Sequence, residues 1–175
     1  FSRGLNVPAV TTPHGFNFWV PSNTSVDGRG RNTYTYQANG NYFRHMTISH
    51  EASNWVGDRG TWQFMINTSI DPETGSFGEN ERKIPFSHEK EVARVYYYGI
   101  EFPEGTNASN TKMELTPTDH GAVVRFTFPK DAQHKNVIFD SINGSDDGSI
   151  IEYDMKTNSF KARTNHTSLG LKDMY

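Results

Sequence analysis

Tyr42-Phe43-Arg44-His45-Met46-Thr47-Ile48 and Thr61-Trp62-Gln63-Phe64-Met65-Ile66 stand either side of Ser49-His50-Glu51-Ala52-Ser53-Asn54-Trp55-Val56-Gly57-Asp58-Arg59-Gly60. In the first run Phe43 and His45 fall on one side and Tyr42, Met46 and Ile48 mostly on the other. In the second, Trp62, Phe64 and Ile66 alternate with Thr61, Gln63 and Met65. Period two predicts a strand on each side and makes the polar, glycine-broken stretch a strand-to-strand loop. A sheet fixes the ends of such a loop while its side chains project outward. One reading presents Trp55 to a ligand; the other packs it inward as a hydrophobic plug and leaves Gly57, Asp58 and Gly60 as turn residues.

Working outward, the pattern is most regular from residue 86. Val92 to Phe102 is rich in strand formers, with Gly99 suggesting a bulge. Further strands are predicted at about 111–117, 121–128, 136–142, 149–154 and 159–164, joined by turn chemistry such as Asp119-His120-Gly121 and Asn143-Gly144. This spacing predicts an all-β antiparallel sandwich with little helix rather than βαβ units. Before the opening loop, residues 1–32 show little periodicity. Phe16, Phe18, Trp19 and Val20 either cover an open sandwich face or line a pocket, covering being the expectation, and Ser22 to Gly30 is expected to form an exposed loop. Thr33 to Gln37 is a short strand candidate closed by Asn39-Gly40. Residues 67–85 read as a long polar connection.

Composition limits the function. The 175 residues fit one domain with a sizeable core. A net charge of −3 without a basic run offers no footprint for nucleic acid. No apolar stretch reaches the roughly 18 residues of a membrane span. The absence of cysteine excludes a disulfide scaffold, a thiolate metal site and a cysteine nucleophile, and leaves compartment open. The chain begins at Phe1 without Met, so a piece of a longer protein is expected. Sequons at Asn23, Asn67, Asn107, Asn143 and Asn165 are a weak excess over chance.

Candidate chemistry is sparse. No G-x-S-x-G elbow is present, and Asp146-Asp147-Gly148 lacks calcium-loop spacing, so no metal is assigned to this chain. His45, His50, His88 and His120 lack zinc spacing and are expected to hydrogen-bond near strand ends. Thr116-Pro117-Thr118-Asp119-His120-Gly121 offers a carboxylate and an imidazole together, or a tight hairpin in which Asp119 bonds its own backbone. Carbohydrate recognition is the coherent reading of the 49–60 loop. Sugars present apolar C–H faces and fixed hydroxyls, and Trp55 stands within six residues of Asn54, Asp58 and Arg59.

Four runs, in this order, resemble the N-terminal β-sandwich domain of bacterial glycoside hydrolase family 92. They are Arg3-Gly4-Leu5-Asn6-Val7-Pro8-Ala9-Val10-Thr11-Thr12-Pro13-His14-Gly15-Phe16-Asn17-Phe18-Trp19, Ser49 to Arg59, Phe86-Ser87-His88-Glu89-Lys90-Glu91-Val92-Ala93, and Pro117 to Pro129. The resemblance covers most of the chain. It implies an exo-acting, calcium-dependent, inverting α-mannosidase acting on mannose-containing glycans, in which residues 1–175 form one sandwich domain before an (α/α)6 catalytic barrel. The catalytic carboxylates and the calcium ligands would come from that barrel. His50, Trp55, Gly57 and Asp58 match the family's sugar-facing loop and would supply one wall of the pocket. A secreted or cell-surface bacterial setting is the accompanying expectation. The alternative is an autonomous carbohydrate-binding or structural module.

Overall fold

Runs of aromatic and β-branched residues separated by turns become strands because such side chains suit a pleated, half-buried surface. The computed structural model describes residues 8–24, 36–49, 62–75, 78–141 and 150–163. Within them lie eleven strands, every pairing antiparallel. The first sheet runs in the order β1 (Phe18–Thr24), β2 (Tyr42–Ser49), β3 (Trp62–Asn67), β9 (Asn136–Ser141), with β4 (Ile84–Pro85) also pairing β2. The second joins β5 (Glu91–Arg94), β6 (Tyr97–Glu101), β7 (Lys112–Pro117) and β8 (Ala122–Thr127) as successive neighbours. β10 (Ile150–Asp154) and β11 (Ser159–Arg163) form a separate hairpin whose Phe160 meets Phe139 edge-on at 4.8 Å. Helix is confined, among the described residues, to α1 (Glu79–Arg82) and one 3-10 turn (His88–Lys90).

The core lies between the two sheets. Trp19, Met46 and Phe64 from the first share one buried cluster with Tyr98, Ile100, Met113 and Leu115 from the second. Phe64 also bridges the layers edge-on to Phe126, with ring centroids 6.1 Å apart. Strand β2 departs from the simple alternation expected of it. Ser22 pairs with His45 and Asn23 with Phe43, so Arg44 is an extra residue, a bulge. The bulge turns Phe43 to the same side as Met46, and Phe43 packs against Phe86 and Phe102. His45 accordingly lies buried within β2 rather than at a strand end.

The amino-terminal part differs more. Phe18–Thr24 is a strand, not an irregular cover and an exposed loop. Trp19 enters the core and Phe16 is exposed. Ser22 and Asn23 are buried, and Asn23 exchanges hydrogen bonds with the backbone of Gln37: Nδ2 to O at 2.9 Å, and Gln37 N–H to Oδ1 at 2.6 Å. A Cβ on Gly40 would come within 2.8 Å of that Asn23 amide, which explains a glycine in this turn. Of the candidate strand 33–37, only Tyr36 and Gln37 are described, and neither is in a strand. Within 67–85, Asn67 is buried and its Oδ1 accepts from the N–H groups of Ser69 and Ile70, so this sequon residue, like Asn23, holds structure.

Val92 to Phe102 is not one bulged strand. Arg94 pairs with Tyr97 across a two-residue turn, Val95-Tyr96, and Gly99 sits in unbroken register between Val92 and Glu114. The glycine has another use. A Cβ there would lie 2.7 Å from the Tyr97 hydroxyl and 3.0 Å from the ring, because the phenol lies across Gly99 to reach Glu114 at 2.9 Å. Arg125 and Lys112 converge on the same Glu114 carboxylate.

At the far end of the sandwich from the 49–62 connection, Glu91 ties three elements together. Its side chain is 5 % exposed and accepts from Tyr98 at 2.6 Å and from Tyr36, while His88 Nδ1 lies 2.7 Å away. Tyr36 also meets His88 edge-on. Burial first, and then the Glu91 carboxylate, push the phenols of Tyr36 and Tyr98 well above their ordinary value near 10.

Two outcomes are expected. Gly99→Ala displaces Tyr97 and costs about 1–3 kcal/mol in urea unfolding, a loss that shrinks when Tyr97 is also replaced by alanine. Because the folded Tyr36 and Tyr98 values lie above the unfolded ones, their stabilisation is complete below about pH 10 and is lost as pH rises beyond it. In an absorbance titration at alkaline pH, these two phenols should ionise only together with unfolding. Their ionisation in step with exposed tyrosines would contradict the arrangement.

Candidate functional site

The 49–60 loop is carried on adjacent, paired strands. Ile48 pairs with Trp62, Trp19 with Ile48, and Trp62 with Ser141, so β1 begins, β2 ends, β3 begins and β9 ends at one edge of the first sheet. Trp62 stacks on Phe139 at 5.0 Å with planes 23° apart, and Trp19 meets Phe64 edge-on. Aromatic packing at the roots fixes where the loop leaves and returns. His50, Trp55, Gly57 and Asp58, together with Asn54 and Arg59, lie outside the described residues.

The second sheet ends at the same place, braced by a segment that sequence periodicity left unassigned. Val10 bridges Trp19 through paired backbone bonds, and Thr11 N–H donates to Val95 O at 2.7 Å. Phe16 N–H donates to Asp119 O at 2.7 Å, and Asn17 Nδ2 to His120 O at 2.8 Å. Residues 10–17 therefore strap the β5–β6 and β7–β8 turns against the start of β1. His14, a non-glycine residue at φ 63°, turns the strap back on itself.

The Thr116–Gly121 stretch is the tight hairpin foreseen as one of two readings, closed by a different side chain. Thr118 N–H bonds Gly121 O, and Gly121 N–H bonds Thr118 Oγ1 at 3.0 Å. The Asp119 carboxylate instead accepts from Thr12 Oγ1 at 3.4 Å. Asp119 and His120 are both exposed, and Phe16 meets the His120 ring edge-on at 5.9 Å.

One rung inward, the outer face of the first sheet is polar yet buried. Thr47 pairs with Gln63, and Thr47 Oγ1 and Gln63 Oε1 are buried without a hydrogen-bond partner. Gln63 Nε2 reaches Asp140 at 3.4 Å, and Arg82 from α1 pairs with the same Asp140 carboxylate at 2.8 Å. His88 is indeed hydrogen-bonded at the start of a strand, in the Glu91 cluster. Both Glu91 oxygens are engaged there, so that cluster holds elements together and leaves no carboxylate oxygen for a substrate. No group of three or more His, Asp or Glu among the described residues is placed to hold a metal ion.

Comparison with known proteins places the chain. The sequence model of the glycosyl hydrolase family 92 N-terminal domain matches residues 2–173. Among solved structures, a family 92 inverting mannosidase from Bacteroides thetaiotaomicron is similar at 28% identity and TM-score 0.60, over 79% of this chain and 17% of that one. A family 92 α-mannosidase from the same organism, solved with mannoimidazole, shares the fold at 22% identity and TM-score 0.56, over 79% and 18%. A third family 92 glycosyl hydrolase shares it at 19% identity and TM-score 0.56, over 87% and 21%. No curated protein matches. The chain thus spans about a fifth of the length of these solved relatives.

Proposed function

Because the chain belongs to the glycosyl hydrolase family 92 N-terminal domain family, we propose that it forms the sandwich domain of an exo-acting, inverting α-mannosidase and supplies one wall of its sugar pocket. The observation that carries this reading is the domain match over residues 2–173, with the similarity to an inverting mannosidase beside it. The strap and the Ile48–Trp62 pairing give the wall a fixed base.

In this proposal the sandwich positions and the following catalytic domain reacts. Inversion needs one carboxylic acid to protonate the leaving oxygen and one carboxylate to activate water across the ring. Both would come from the catalytic domain. Trp55 would stack on the sugar's C–H face, Asp58 would accept hydroxyl hydrogen bonds, Gly57 would allow the backbone to approach, and His50 would add a polar contact at the loop's start. Calcium, bound by the catalytic domain, would supply a Lewis acid. The described residues do not fit a calcium site. A secreted or cell-surface bacterial setting belongs to the same proposal, because a polymeric glycan is met outside the cell.

The test uses the enzyme with its catalytic domain. Trp55→Ala and Asp58→Ala should each lower kcat/KM on an α-mannoside by about 10- to 100-fold while leaving Tm nearly unchanged. If Trp55 is an inward plug, its removal costs about 3–5 kcal/mol of stability instead. Residues 1–175 alone should release no mannose, with or without calcium; turnover by that piece refutes the division of labour.

A further inference from the structure

Thr47 and Gln63 stand directly opposite each other on β2 and β3, and each carries a buried polar atom with no hydrogen-bond partner among the described residues. The two residues are 0 % and 5 % exposed. A hydroxyl and an amide oxygen left unpaired away from water are costly, so two of them on one rung call for a common explanation. Reassigning the amide does not supply it. Gln63 Nε2 faces the Asp140 carboxylate at 3.4 Å, and turning the amide over would set oxygen against oxygen there. Oε1 therefore keeps its place as an acceptor that needs a donor.

The described neighbours on that face have none to give. Val20 pairs with Thr47, Met65 follows Gln63 two residues along β3, and both are apolar and buried. Asp140 pairs with Gln63 on the other side, and Arg82 is engaged with the Asp140 carboxylate. Thr47 and Gln63 do not satisfy each other either. Opposed residues on antiparallel strands hold their Cβ atoms about 4.5–5.5 Å apart, and the reach of Gln63 toward Asp140 draws its amide to the β9 side. What satisfies both is a small molecule that gives a hydrogen to Oε1 and exchanges a hydrogen bond with a hydroxyl.

We propose that Thr47 Oγ1 and Gln63 Oε1 hold a buried water molecule as a fixed part of the first sheet. Water is the smallest ligand with both functions, and buried waters bridge polar groups that the chain itself leaves unsatisfied. The cross-strand row explains its route of entry. Thr47, Gln63 and Asp140 lie side by side from β2 to β9, and exposure rises along the row to 36 % at the Asp140 side chain. The water ties β2 to β3 one rung inward of their last pair, Ile48 with Trp62. This site is independent of the mannosidase reading.

The experiment uses the enzyme with its catalytic domain. A crystal structure of the wild type should show one water within hydrogen-bonding distance of both atoms. Thr47→Val keeps the shape of the side chain and removes the hydroxyl, whereas Thr47→Ser keeps the hydroxyl. In hydrogen-exchange mass spectrometry, the amides of β2 and β3 should exchange about tenfold faster in Thr47→Val and within about twofold of wild type in Thr47→Ser. A hydroxyl with no partner gives the opposite sign, because its removal relieves a desolvation penalty. Unchanged or slower exchange in Thr47→Val therefore overturns the proposal, as does a crystal structure in which a protein group, or no water, meets the two atoms. If Thr47→Val does not fold, the crystal structure of the wild type decides alone.

Discussion

A sheet that is apolar on one face is stable only against another such face, and the facing of two sheets governs this domain. Every aromatic contact between layers, Phe64 on Phe126 most directly, depends on the strands keeping their inward sides aligned. A single extra residue, Arg44, shows how tightly that alignment is set. Without the bulge, Phe43 would face away from Phe86 and Phe102. The strap, the turns and the loop roots occupy positions that the paired sheets define.

Within the sandwich, the two ends are built on different principles. One end is fastened by a buried carboxylate, Glu91, holding two phenols with an imidazole beside it. The other is fastened chiefly by backbone bonds from residues 10–17, to which the side chains of Asn17 and Thr12 add bonds to His120 O and the Asp119 carboxylate. The end braced by residues 10–17 is the one at which β2 ends and β3 begins.

Much of this was legible where periodicity and turn chemistry agreed. Strands β3, β7, β8 and β9 fall where the alternation placed them, β2 does so apart from the bulge at Arg44, and the 118–121 hairpin follows its turn residues. β1 was hidden because Pro21, Ser22 and Asn23 carry no strand propensity, although a proline is tolerated on an edge strand. The Val95-Tyr96 turn was hidden because neither residue signals a turn, so two strands looked like one. For the site, the loop could be located from its flanking strands, but the roles of His50, Trp55, Gly57 and Asp58 came from family resemblance, because stacking residues have no spacing rule of their own. The strap was illegible because backbone hydrogen bonds to distant turns leave no mark in side-chain pattern.

Strand β1 has one further consequence, for colloidal behaviour. It lies at the margin of its sheet, where unsatisfied backbone groups invite another chain to add on. Trp19 spends its outward N–H and C=O on Val10. Strand geometry repeats every second residue, so the next outward position is Pro21, which has no N–H to offer. An incoming strand would find the first position taken and the next without a donor. Growth of an intermolecular sheet from this margin is blocked by an internal bridge and a ring closure, with no charged guard residue needed.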